Sequence, residues 1–77
     1  MSPQEVNTQL FNYITSMAKC ADYSTLQPEV LGFVHAIDWL NHMTPEIKVF
    51  RGLLLTFRSN EEILEGAKLL KASKLIE

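Results

Sequence analysis

Residues 44–62 read TPEIKVFRGLLLTFRSNEE, and this stretch holds two helix starts with one periodic segment between them. Thr44 is a good helix cap, and Pro45 suits a first helical position, where its missing N–H costs nothing. Ser59 followed three residues later by Glu62 spells a capping box, in which hydroxyl and carboxylate each satisfy an end-of-helix N–H. Between them Ile47, Phe50, Leu53, Leu54 and Phe57 recur at helical spacing. The pattern predicts a helix over about 45–58 and another from 60 to near residue 77.

The same punctuation extends outward. Ser2-Pro3-Gln4-Glu5 is another proline-led capping box. Val6, Leu10, Ile14, Met17 and Ala21 follow at helical spacing, so the first helix is expected over about 3–22, ended by the polar run Asp22-Tyr23-Ser24-Thr25. Pro28 is read as a restart, with a helix from 28 to 42 or 43. No segment alternates with a period of two, and no Asn-Gly or Asp-Gly turn occurs. The expectation is an all-α fold: one domain over 1–77, a small bundle of about four short helices, completed by self-association.

Small size is the reason to expect self-association. At 77 residues with a single cysteine, Cys20, the chain has no internal disulfide to reinforce a small core. A composition 47% hydrophobic and 21% charged belongs to a folded chain, not a disordered one. The net charge of −2 gives no general attraction for nucleic acid or anionic membrane. It is unevenly spread. Residues 1–47 hold Lys19 against Glu5, Asp22, Glu29, Asp38 and Glu46, whereas 48–77 hold six lysines and arginines against four glutamates. Opposite halves can attract within one chain or between two. No basic, apolar leader opens the sequence, and no apolar run approaches the ~18 residues of a membrane span. The expected location is cytoplasmic, with a reduced thiol. Cys20, near a helix C-terminus, is expected to be a small buried or half-buried hydrophobe and a poor nucleophile.

Residues 35–43, HAIDWLNHM, raise a question of chemistry. On a wheel of ~100° per residue His35, Asp38 and His42 share an arc of about 60°. The histidines are two turns apart, however, and a structural zinc takes four ligands. The reading preferred is the wet stripe of a largely apolar helix; a metal- or pH-responsive site at His35, Asp38 and His42 is the alternative. Trp39, Met43, Leu40 and Ala36 extend the apolar arc beyond what one small core can cover, as an interface does. On the last helix Ile63, Gly66, Ala67 and Leu70 form one stripe, and Leu69 and Ile76 fall on a different side. Trp39, Met43, Leu40, Ala36, Leu69 and Ile76 are the expected partner or oligomer interface.

Lys48, Arg51 and Arg58 form a possible basic contact stripe along 45–58. They support a second reading, a helix-turn-helix-like DNA binder. The overall acidity and the absence of glycine from the turn argue against it. There is no G-x-S-x-G, no glycine-rich phosphate loop and no H-E-x-x-H. The expectation is therefore a non-enzymatic protein–protein interaction module without cofactor or metal, acting on a larger protein as an inhibitor, antirepressor or adaptor. In length and texture, though in no motif, the chain resembles small helical regulators of the kind phages and mobile elements encode.

Overall fold

The computed structural model describes residues 2–72. Four helices follow in order: α1 (Pro3–Ala18), α2 (Tyr23–Trp39), α3 (Pro45–Leu54) and α4 (Asn60–Ala72). Among the described residues there is no strand.

The capping signals act much as written. Glu5 N donates to Ser2 Oγ at 3.2 Å and Ser2 N to the Glu5 carboxylate at 2.8 Å, so both halves of the first box form. These bonds favour the charged form of Glu5 and hold its pKa below the ordinary value. Ile47 N donates to Thr44 Oγ1 at 3.1 Å, and Glu62 N to Ser59 Oγ at 3.2 Å. At that last start the carboxylate reaches one residue further back than expected, to Arg58 N instead of Ser59 N.

Four helix boundaries differ from expectation, at three places in the chain. First, α1 stops at Ala18 and α2 starts at Tyr23, ahead of Pro28. Asp22 does not simply end the first helix; it caps the second, accepting from Thr25 N at 3.2 Å and from Ser24 Oγ at 2.9 Å. Pro28 then sits in the second turn, where it removes only the bond to the Ser24 carbonyl, on an exposed residue that water can reach. Burial of Leu26 in register with Val30, Val34 and Ile37 holds this earlier start in place.

Second, α2 ends at Trp39. Asn41 adopts φ 63°, the left-handed region that asparagine tolerates best after glycine. His42 N then bonds to Ile37 O and Asn41 N to Asp38 O, at 3.0 and 3.1 Å, the paired bonds of a Schellman ending. His42 and Met43 therefore lie outside the helix that the wheel placed them on.

Third, α3 closes at Leu54 instead of continuing to 58. Thr56 Oγ1 turns back to donate to Leu53 O at 2.7 Å, competing with the next helical turn. The tilted pair Phe50–Phe57, at 6.2 Å between centroids, folds the chain inward. The Tyr23 hydroxyl fixes this bend by donating to Phe57 O.

Contacts define the topology. Asn60 at the start of α4 donates through Nδ2 to Ala21 O at 2.8 Å, while Lys71 near its end lies 5.0 Å above the Phe11 ring. The two helices thus run antiparallel. Tyr13 stacks on Phe33 and also donates to Glu29, and Val6 faces Ile37, so α1 and α2 are antiparallel as well. Val6, Leu10, Ile14, Leu26, Val30, Val34, Ile37, Ile47, Phe50, Leu54, Ile63, Ala67 and Leu70 make one core. Gly66 lets α4 lie close to the bend that follows α3; a Cβ there would enter the Phe57 ring.

Candidate docking surface

An apolar opening lies between α1 and α2. It is a groove of about 320 Å³, walled by Val6 and Gln9 on α1 and by Phe33, Ala36, Ile37 and Leu40 on α2, with His42 at its end. Its origin is local. Ala36 stands three residues after Phe33 and four before Leu40, on the same face, so a methyl group sits between two large side chains and leaves a notch. The volume is at the low end of ligand pockets, roughly 300–1,000 Å³. Its polar lining is confined to Gln9 and His42, which suits aliphatic side chains better than a polar ligand.

Trp39 and Leu40 stand at the end of α2, 81% and 62% exposed. Their position follows from the Schellman turn: Trp39 is the last helical residue and Leu40 its cap, and at Asn41 the chain turns away. Outside the groove lining, the Tyr13 hydroxyl donates to the Glu29 carboxylate at 3.1 Å. Desolvation, with that acceptor and its charge beside it, raises the Tyr13 pKa.

Of the expected interface residues, Trp39, Leu40 and Ala36 are exposed at this edge, Leu40 and Ala36 lining the groove. Met43 is half-buried and packs against the core beyond Asn41. Leu69 is half-buried against the core on α4 and does not line the groove. Ile76 lies outside the described residues. Cys20 is exposed, not buried; α1 has already ended, and its thiol makes only long contacts of 3.8 and 3.9 Å to Met17 and Ser16 carbonyls.

The basic stripe is discontinuous. Lys48 is exposed on α3, Arg51 pairs with Asp38 at 3.7 Å, and Arg58 falls past the end of α3. His35, Asp38 and His42 do not converge: the wheel geometry stops at Asn41, and Asp38 turns to Arg51. Among the described residues no three His, Cys, Asp or Glu side chains form a group able to hold a metal ion.

Sequence reading missed the far wall. Val6 and Ile37 carry core periodicity, and nothing local tells that Gln9 and Phe33 border an opening; only the crossing of α1 and α2 does. It also missed Val49 and Leu53, which α3 presents to solvent.

No protein-family model, curated protein or solved structure matches the chain. No helix of the described residues is long and apolar enough to cross a membrane.

Proposed function

We propose that this chain is a non-enzymatic interaction module that docks on a protein through the C-terminal edge of α2, acting by occupancy as an inhibitor, antirepressor or adaptor does. The observation that carries the reading is the exposure of Trp39 next to Leu40, whose side chain lines an apolar groove. A tryptophan buries 150–250 Å² in an interface. At about 25 cal/mol per Å² that is roughly 4–6 kcal/mol of transfer free energy. Association costs on the order of 4–15 kcal/mol in lost freedom. Trp39 alone therefore offsets only the low end of that cost, and the notch at Ala36 has to be filled as well.

The test compares immobilised wild-type chain with Trp39→Glu as bait. Proteins held by the wild type and lost by the variant, with helicity unchanged, are the expected result. Equal retention by both removes Trp39 from any interface and the reading with it.

A further inference from the structure

We draw no further inference here: the strongest candidate, the apolar groove between α1 and α2 lined by Phe33, Ala36 and Leu40, carries nothing beyond the docking reading because nothing in the structure shows what covers it.

Discussion

Thr44 donates a 2.6 Å hydrogen bond to the side-chain oxygen of Asn7, joining residues 37 apart in sequence inside the protein. Both are buried, and each has further work. Thr44 Oγ1 also caps α3 by accepting from Ile47 N, and Asn7 Nδ2 donates to Glu46. The bond thus locks the start of α3 onto α1 and, through the short link after Asn41, helps fix the end of α2 that bears Trp39.

Truncation at this bond is costly because it leaves polar groups buried without partners. Thr44→Ala is expected to lose about 2–4 kcal/mol, from cap and buried acceptor together. Asn7→Ala is expected to lose a comparable amount. Urea denaturation of both single variants and the double variant checks this. The double is expected to fall short of the sum by at least ~0.5 kcal/mol, as residues in contact do.

Much of the helix pattern is readable from caps alone. Ser2, Thr44 and Ser59 each open a helix where their sequence context says, because a cap is a local bond between neighbours. Endings are less legible. Asn41 and Thr56 stop their helices through a left-handed backbone and a side-chain-to-carbonyl bond, and neither residue type demands that outcome. Pro28 misleads for a related reason: Asp22 supplies a stronger start upstream, and buried Leu26 rewards it. The exposed apolar edge of α2 is half legible. Trp39, Leu40 and Ala36 follow from an apolar arc too wide for one core. Val6, Gln9 and Phe33 do not, since their opening exists only where two helices cross.

Two glycines are expected to respond in opposite directions. Gly66→Ala pushes a methyl into the Phe57 ring and is expected to destabilise by roughly 1–3 kcal/mol, as overpacking does. Gly52→Ala meets open space and is expected to stabilise the helix by up to about 1 kcal/mol. Thermal unfolding at one fixed, low concentration reads both. A Gly66→Ala chain as stable as wild type would show that Phe57 packs on α4 more loosely than described.

Asn41 provides a test of the turn that presents Trp39. Asn41→Gly is expected to hold or slightly raise stability, whereas Asn41→Ala is expected to lose about 1 kcal/mol, since alanine resists positive φ. Chemical denaturation distinguishes them; equal stability of the two variants would be inconsistent with a left-handed residue 41.

Acid should loosen the helix starts. The bonds from Ser24 first, then from Thr25, hold the Asp22 pKa below its ordinary 3.8, and those from Ser2 hold Glu5 below 4.5. A carboxylate with a depressed folded pKa adds stability that is fully present above the unfolded value. That contribution is lost as pH falls through the folded one. The melting temperature is therefore expected to be level from pH 7 to about 5 with respect to these two groups and to drop below about pH 4.5. Asp22→Asn, which keeps a capping oxygen without a titrating proton, is expected to flatten part of that drop. An unchanged acid slope in Asp22→Asn would deny Asp22 its share.

The most direct test of the docking account uses Trp39, the only tryptophan in the chain. Its fluorescence and its quenching by iodide report whether its indole is wet. At high dilution the emission should be that of an exposed indole, readily quenched. On adding a protein that the wild-type bait retains and Trp39→Glu does not, it should shift to the blue and become protected. Emission and quenching that stay the same when association is complete by sedimentation would contradict the account, because Trp39 would then lie outside the interface.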